Sequence, residues 1–362
     1  MDSSYRVAFP GLGWEFFFDG TAFSIFGVEI KWYGIIITTG ILLAFLMFYR
    51  FATKREDFIG DSIFNVMLIV LPCAIVGARF FYVITSWDRF KDKSFLDIIN
   101  IRNGGIAIYG AIIFGLIAVL VYNKVKKTSS LSMLDALAPA VMLGQIIGRW
   151  GNFINAEAYG WSSGVDTLPW RMELDNVIVD GQRLGTAAVH PTFLYESLWN
   201  LIGLALIVFI VYRKKKFNGQ VFFAYLGWYG LGRAYIETLR ADSLYIVGEL
   251  KFSVFVGIAC VIAAIIGEIV LYRRYKEEKL EMSEYKSSFE SIKIALANEQ
   301  DSLNEDLYEE NEELDEELDE ELDEELDEEL DEELDEEDEE TLKEQDMLDG
   351  DAEDIEKEPT EE

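Results

Sequence analysis

Seven long apolar runs constrain the fold of this chain more than any other feature of its sequence. They cover approximately residues 33–50, 62–85, 105–123, 133–150, 193–212, 219–240 and 252–272. About 20 apolar residues in a helix are enough to cross the hydrocarbon core of a bilayer. We therefore predict an all-α integral membrane protein with seven transmembrane helices.

The basic residues between the runs predict the orientation of the helices. Cytoplasmic loops of membrane proteins carry an excess of lysine and arginine. Here a basic cluster follows every odd-numbered run: Arg50, Lys54 and Arg55; Lys124, Lys126 and Lys127; Arg213 to Lys216; and Arg273, Arg274 and Lys276. We therefore expect the N-terminus outside and the C-terminus in the cytoplasm. The N-terminal residues lack the basic segment that precedes the apolar core of a signal peptide, so we expect no cleavable signal.

The net charge of −34 is concentrated near the C-terminus. From Asp301 onward the chain holds 38 acidic residues and two lysines, whereas the rest is almost balanced, with 27 acidic and 29 basic residues. Residues 312–337 repeat Leu-Asp-Glu-Glu, and leucines four residues apart drift around a helix rather than form a heptad seam. We expect an extracytoplasmic, interfacial segment at 1–32, a seven-helix membrane domain at 33–275, and a largely disordered, acidic cytoplasmic tail at 276–362.

Cysteine and histidine are too scarce to suggest a metal site. Cys73 and Cys260 both lie inside apolar runs, without a partner cysteine or histidine cluster nearby, so we expect neither zinc nor a disulfide. His190 is the single histidine and precedes Pro191 at the start of the fifth run. It could act as a general base, but a lone histidine in such a position is more often structural. We expect no metal and no cofactor.

A polar, glycine-rich stretch follows directly on the fourth apolar run. From Gly148 to Gly160 it reads Gly-Arg-Trp-Gly-Asn-Phe-Ile-Asn-Ala-Glu-Ala-Tyr-Gly. Arg149 offers five N–H donors in a geometry that suits a phosphate or a carboxylate. A helix end whose arginine reaches up to the interface would explain Arg149, but not the two asparagines and the glutamate beside it. Because ionisable groups at membrane depth mark a functional site by default, the stretch predicts a ligand site.

This stretch resembles the signature of the prolipoprotein diacylglyceryl transferases, bacterial inner-membrane enzymes that begin lipoprotein maturation. The signature is Gly-Arg-x-(Gly/Ala)-Asn-Phe-(aliphatic)-Asn-x-Glu-x-x-Gly, and residues 148–160 meet every fixed position. A match of this length is specific, unlike a lone glycine motif. The resemblance extends from about Lys31 to about Arg274, so the acidic tail lies outside it.

The resemblance implies a reaction, its substrates and a location. In this family a diacylglyceryl group passes from phosphatidylglycerol to the lipobox cysteine thiol of a prolipoprotein, so that a thioether forms and glycerol phosphate leaves. We therefore expect phosphatidylglycerol, prolipoprotein signal peptides and membrane lipids as partners, no nucleic acid, and a location in the bacterial cytoplasmic membrane. The alternative is a membrane transporter or channel for an anionic solute, which buried charges would also suit, although the runs show no inverted repeat.

The sixth run carries Tyr229, Arg233, Glu237 and Arg240 at spacings of four, four and three, which place them on one face of a helix. Two arginines and a glutamate there form either a second site for an anionic headgroup or a structural ladder of ion pairs. The family has the same Tyr-x-x-x-Arg-x-x-x-Glu-x-x-Arg pattern. Its first arginine and its glutamate are among the residues thought to matter.

Two further tyrosines gain weight from the resemblance. Tyr33 stands in a Trp-Tyr-Gly segment, which alone is typical of an interfacial aromatic belt, but the family has a functional tyrosine in this context. Many family members have a histidine where this chain has Tyr109. Since the ordinary pKa of tyrosine is about 10, Tyr109 cannot replace a histidine base near neutrality. We expect it to donate a hydrogen bond to the leaving phosphate instead.

These observations yield the candidate site. The catalytic candidates are Arg149, Arg233, Tyr109, Glu157 and Tyr229. The candidates for binding phosphatidylglycerol are Arg149, Asn152, Tyr33, Arg240 and Glu237. We expect Tyr195 and Glu196 to complete the polar wall, and residues 151–192 to fold over the outer mouth of the bundle. Arg79, inside the second run, should face the bundle and either pair with an acid or help to hold an anion.

Overall fold

The structure of the protein is a computed structural model that describes residues 5–101, 104–179, 182–241 and 251–350. The chain divides into two compact units, Met1–Glu278 and Lys279–Glu362. The first unit contains the helix bundle and the strands. The second unit contains the C-terminal part of the last helix.

A helix occupies each of the seven predicted apolar runs. The helices are α1 (Trp32–Arg55), α2 (Gly60–Thr85), the short α3 (Phe95–Ile99), α4 (Ile108–Lys126), α5 (Ser130–Ile154), α6 (Thr192–Leu206), α7 (Gln220–Ile236) and α8 (Phe252–Gly350). After α6 the chain continues as a π-helical segment, Ile207–Val211, and a 3₁₀ turn, Tyr212–Lys214. Among the described residues, six helices are long and apolar enough to cross a membrane. The fold is therefore that of a multi-pass integral membrane protein.

The helix of the sixth run differs from its prediction. The run 219–240 was expected to form one span, but α7 has 17 residues and then tightens into a 3₁₀ turn at Glu237–Leu239. The polar residues at the end of this run turn the backbone toward the site described below. For that reason α7 is shorter than the six helices that meet the length of a span.

The prediction of an all-α fold was wrong, because the structure also contains two antiparallel sheets. The four-stranded sheet has the order β2-β1-β5-β6, and β3 pairs with β4 in a separate hairpin. The strands are β1 (Tyr5–Phe9), β2 (Trp14–Phe18), β3 (Thr21–Ile25), β4 (Val28–Lys31), β5 (Met172–Val179) and β6 (Gln182–Val189). Val7 on β1 lies opposite Leu174 on β5. This pairing joins segments that are far apart in sequence, which a local pattern does not reveal.

The four-stranded sheet has its own apolar core, which includes the signature. Phe153, at the end of α5, packs with the buried side chains of Val7, Phe9, Leu174 and Val189. The segment 151–192, which we expected to be irregular, therefore contains two strands. Through Phe153, the sheet is attached to the end of α5 that carries Arg149.

The helix α5 lies at the centre of the bundle, in contact with α1, α6 and α7. Its side chains Met133, Ala136 and Met142 are fully buried. The rings of Trp199 on α6 and Trp228 on α7 stack with centroids 4.4 Å apart. Each indole N–H donates to the backbone carbonyl of the other tryptophan, at 3.0 and 2.9 Å. These contacts fix the helices on which most of the candidate site residues stand.

The last helix, α8, extends through the acidic segment to Gly350. Leucine, glutamate and lysine all have high helix propensity. The expectation of a largely disordered tail at 276–362 stays a prediction.

Candidate active site

The candidate site lies where the ends of five helices meet. The C-terminal ends of α5 and α7 and the N-terminal ends of α4, α6 and α8 supply its side chains. These side chains are Arg149, Asn152, Arg233, Tyr109, Glu196 and Ser253, joined by Glu237 and Arg240 from the turn after α7. Because neighbouring helices run antiparallel, all of these helix ends lie on the same side of the bundle.

Glu196, on the first turn of α6, is shared by three arginines. Its Oε2 lies 2.5 Å from Arg149 Nη2, and its Oε1 lies 3.3 Å from Arg233 Nη1 and 3.6 Å from Arg240 Nη1. The side chain of Glu196 is only 8% exposed. An uncompensated carboxylate would be costly at that depth, so the arginines and Glu196 depend on one another.

Glu237 provides the second negative charge. Its Oε2 lies 2.7 Å from Arg233 Nη2 and 3.8 Å from Arg240 Nε. We call Arg149, Arg233, Arg240, Glu196 and Glu237 the arginine cluster. Within the part of the chain that the structure describes, its three guanidinium groups share these two carboxylates. The ion-pair ladder anticipated on α7 therefore exists, and Glu196 connects it to Arg149.

Arg149 is the most accessible of the three arginines. Its side chain is 24% exposed, compared with 14% for Arg233 and 11% for Arg240. Its Nη1 donates to Asn152 Oδ1 at 3.1 Å, and Asn152 Nδ2 donates to Glu157 Oε1 at 3.0 Å. Glu157 is exposed and is connected to Arg149 through Asn152. Arg149 is thus oriented by Asn152 of the signature and by Glu196 on α6.

Tyr109 is joined to the cluster through a residue that sequence analysis missed. Its hydroxyl lies 3.1 Å from Ser253 Oγ, and Arg233 Nη2 donates to the same oxygen at 3.1 Å. The ring of Tyr109 meets Phe252 edge to face at 4.8 Å. Ser253 is buried near the start of α8. Tyr109 therefore orients Arg233 through one hydroxyl group.

The two remaining tyrosine candidates lie at the edges of the site. Tyr33, at the start of α1, packs on Gly151 so closely that a Cβ there would lie 3.0 Å from Tyr33 Cδ2. Tyr229 lines a small cleft beside Glu196 and Arg233. Tyr229 thus borders the arginine cluster directly, whereas Tyr33 contacts the backbone that carries Arg149.

The last glycine of the signature positions Arg240. Gly160 and Arg240 form an isolated antiparallel bridge, and a Cβ on Gly160 would lie 2.6 Å from the carbonyl oxygen of Leu239. Only glycine permits this approach. Lys251 Nζ donates to the carbonyl oxygens of Glu237 at 2.9 Å and of Arg240 at 2.8 Å. Lys251 also lies over the ring of Trp161, 5.5 Å from its centroid, and no sequence signal pointed to it.

Arg79 is buried and bonds to backbone carbonyl groups. Its guanidinium donates to the carbonyl oxygens of Ile98 (2.6 Å), Asp97 (2.9 Å), Gly104 (3.0 Å) and Gly105 (2.8 Å). Within the described part of the chain it therefore anchors the loop before α4 rather than pairing with an acid, and a role in holding an anion stays a prediction. The glycines of that loop bring the carbonyl groups within reach, which the sequence did not reveal.

The side chain of His190 contacts Tyr195. Its Nδ1 is 3.2 Å from Tyr195 Oη, which accepts a hydrogen bond from Trp170 Nε1 at 2.9 Å. Partial burial lowers the pKa of His190 below its ordinary value. Tyr195 therefore belongs to this contact, and only Glu196 of the expected pair completes the polar wall of the site.

Among the residues that the structure describes, no three or more histidine, cysteine, aspartate or glutamate side chains are grouped so that they could hold a metal ion. The expectation of a metal-free site stays a prediction. Cys73 and Cys260 are free thiols.

The fold and the site together define a multi-pass membrane protein whose buried, arginine-rich centre suits an anionic ligand. The sequence model of the prolipoprotein diacylglyceryl transferase family matches residues 20–270. The chain belongs to this family, as the signature at 148–160 indicated.

The curated relatives agree with the family match. A phosphatidylglycerol–prolipoprotein diacylglyceryl transferase of Finegoldia magna is 45% identical over 266 residues, which cover 74% of this chain and 99% of the relative. Proteins of the same name from Lysinibacillus sphaericus and Clostridium botulinum are 43% and 40% identical and cover 70% and 71% of this chain. The alignments cover 92% and 98% of those two relatives.

Proposed function

We propose that this chain transfers the diacylglyceryl group of phosphatidylglycerol to the lipobox cysteine thiol of prolipoproteins. The observation that carries the proposal is Arg149 on the family signature, a partly exposed guanidinium that Glu196 and Asn152 hold in place. The phosphate of phosphatidylglycerol carries one negative charge, which a guanidinium binds well. Its relatives carry this activity in their names, and the family match does not support a transporter or channel.

The reaction needs charge stabilisation more than it needs an enzymatic nucleophile. The substrate thiol loses its proton and its sulfur bonds to the glyceryl carbon, while the bond from that carbon to the phosphate oxygen breaks. Glycerol phosphate leaves with an added negative charge. Arginines that are already held in place can offset this charge without reorganising. Arg149 and Arg233 hold the phosphate, and Glu196, Glu237 and Arg240 keep them in position.

The other candidates support these two arginines. Asn152 and Glu157 orient Arg149, and Tyr109 orients Arg233 through Ser253. Tyr229 and Tyr33 position the lipid at the two edges of the site. Because the carboxylate of Glu157 is exposed, it is also the candidate nearest to an approaching peptide.

The proposed topology has seven spans, with the N-terminus outside and the C-terminus in the cytoplasm of the bacterial cell membrane. Helix α7 and its 3₁₀ turn together form the short sixth span, which suits a helix that ends inside the site. The basic clusters after the odd-numbered runs support this orientation. It places the arginine cluster toward the outer face, where lipoprotein signal peptides present their cysteine.

The proposal is tested with purified protein in detergent. Wild type, Arg149→Ala and Arg213→Ala are each incubated with phosphatidylglycerol and a lipobox peptide. Arg213 is an exposed arginine after α6, at the other end of the bundle, so it is a matched control. We expect glycerol phosphate and lipidated peptide from wild type and from Arg213→Ala, and neither from Arg149→Ala.

Two outcomes would contradict the proposal. An inert wild type that still binds phosphatidylglycerol would mean that the site binds the lipid without transferring it. Full activity in Arg149→Ala would mean that the reaction occurs elsewhere. Thermal unfolding of each variant distinguishes loss of activity from loss of folding.

A further inference from the structure

The part of α8 beyond the family match carries an exposed apolar stripe. Its side chains are Met282, Tyr285, Phe289, Ile292, Leu296 and Leu303, and each is between 56% and 67% exposed. Scattered exposed apolar residues are normal on a protein surface, but a continuous row usually marks an interaction site. The family matches only residues 20–270, so its chemistry does not account for this row.

The spacing of the stripe is that of a coiled coil. Successive members are separated by three, four, three, four and seven residues. Met282, Phe289, Leu296 and Leu303 therefore take the a positions of a heptad, and Tyr285 and Ile292 take d positions. The next d position is Glu299, so the seam weakens there and ends at Leu303. Its length is about 33 Å at a rise of 1.5 Å per residue.

The stripe differs from the leucine repeat that follows it. The leucines of residues 312–337 recur every four residues, and such a period drifts around the helix. The alternation of three and four at 282–303 instead keeps these six side chains on one side, while the exposed Leu280 and Ile294 fall at f positions outside the row. Of these two apolar patterns, the stripe at 282–303 can form a continuous seam, whereas the leucine repeat cannot.

The charges beside the stripe favour a second copy of the same segment in parallel. In a parallel pair, each g position faces the following e position of the other helix. Glu281 at g would then face Lys286 of the second copy, and the two-fold symmetry forms this pair twice. The next pairings, Ser288 with Lys293 and Ala295 with Gln300, bring no like charges together.

The membrane imposes the same parallel arrangement. Two copies of one chain in one membrane share their orientation, so their α8 helices leave the bilayer at the same residue. Three heptads alone are marginally stable in water. Confinement in one membrane raises their effective concentration, as a linker does between binding modules. The acidic run that follows repels itself, which limits pairing to the stripe.

We propose that residues 282–303 form a parallel two-stranded coiled coil with the same segment of a second copy of this chain. The protein is then a homodimer in the membrane. Tyr285 and Ile292 meet their counterparts across the seam, and Glu281 pairs with Lys286. The proposal does not depend on the transferase activity, because it uses only residues outside the family match.

Disulfide crosslinking in membrane vesicles tests the seam. A disulfide requires Cα atoms about 4.4–6.8 Å apart, which facing d positions can provide. The full-length Ile292→Cys variant is compared with Ser287→Cys, an exposed f position one turn away and on the outside of the pair. Under a mild oxidant we expect a linked dimer with Ile292→Cys, and monomer with Ser287→Cys and with wild type.

The contrary results are distinct. Equal linkage at both positions would show random collision, and no linkage at either would show that the copies do not pair. If neither position links, the Ile292→Cys variant is labelled with a water-soluble maleimide. Slower labelling in the presence of lipid would show that the stripe lies on the membrane surface. Either result overturns the proposal.

A charge exchange tests the register without a cysteine. Lys286→Glu should shift the detergent-solubilised protein from dimer to monomer, because it brings Glu281 and a new glutamate together. The double variant Glu281→Lys with Lys286→Glu restores opposite charges and should restore the dimer. A double variant that stays monomeric, or a single variant that stays dimeric, would contradict the assigned heptad.

Discussion

The two ends of the helix bundle each bury a group of charged side chains, but the two groups differ in how accessible their cations are. In the arginine cluster, the side chain of Arg149 is 24% exposed. The other group, which we call the lysine cluster, consists of Glu56 after α1, Asp135 in α5 and Lys215 after α6. Lys215 Nζ lies 2.5 Å from Glu56 Oε2 and 2.8 Å from Asp135 Oδ2.

The lysine cluster is satisfied entirely by the protein. Asp135 accepts hydrogen bonds from the backbone N–H groups of Gly219 (2.7 Å) and Phe222 (2.8 Å), at the start of α7. Glu56 accepts one from Ser132 Oγ at 2.5 Å. The positive end of the α7 dipole compensates the second carboxylate. This cluster fixes α7 against α5 and has no cation in excess.

The comparison shows that burial of charge alone does not mark a binding site. Both clusters are buried and both join several helices. The side chain of Arg149 is 24% exposed, whereas that of Lys215 is 14% exposed and contacts two carboxylates. We conclude that an accessible cation held by fixed partners, rather than buried charge alone, separates a ligand site from a structural network. Four substitutions test this conclusion.

The largest effect is expected at the lysine cluster. Asp135→Ala removes a buried carboxylate and leaves two backbone N–H groups and part of the charge of Lys215 uncompensated. We expect a loss of about 3–5 kcal/mol in the free energy of unfolding. Thermal and denaturant unfolding in detergent measure it, and turnover per folded molecule should stay within a few-fold of wild type. Loss of turnover in a stably folded variant would erase the distinction between the clusters.

Arg149→Lys tests the opposite end. Lysine keeps the charge but lacks the planar guanidinium with which arginine contacts Glu196 and Asn152 at the same time. We expect glycerol phosphate release to fall by about 10²–10³-fold, the cost of one preorganised donor to a developing oxyanion. The unfolding temperature should change much less than in Asp135→Ala. If the variant is destabilised but fully active when folded, the arginine cluster has a structural role rather than a role in the reaction.

Tyr109→Phe should have an intermediate effect. It removes the hydroxyl that contacts Ser253 and leaves Arg233 with its two glutamates. The loss of one such hydrogen bond corresponds to about 1 kcal/mol, or roughly fivefold in rate. Steady-state transfer to a lipobox peptide measures it, with Tyr272→Phe as a control outside the site. An unchanged rate would show that Tyr109 does not act through Ser253.

The smallest effect is expected for His190→Gln. Burial lowers the pKa of His190, so the folded state prefers the neutral ring. In the unfolded chain the pKa of His190 is about 6.5, and above that pH the neutral ring contributes fully to the stability of the folded state. The contribution is lost as the pH falls through the lower pKa of the folded state. The unfolding temperature of wild type should therefore decrease more between pH 7 and pH 5 than that of the variant. Loss of transfer at every pH would instead indicate that His190 is a base.

Much of the site could be predicted from sequence, but not its connections. Arg149, Asn152 and Glu157 were found because they stand within one short motif, and Arg233, Glu237 and Arg240 because they share a helical face. The spacing of these residues along the chain does not give the distances between their side chains. Glu196 was anticipated only as part of a polar wall, and Ser253 was missed, because each gains its role from partners on other helices.

The membrane character, the position of each long apolar helix and the family could be predicted from sequence. These properties depend on local composition, since the length of an apolar run and the order of residues in a motif are contained within short segments. Which charges meet depends on how the helices pack. Glu196 lies between three arginines, Arg79 holds a loop, and β1 pairs with β5. Each of these depends on long-range packing, which places distant segments in contact and which no local pattern encodes.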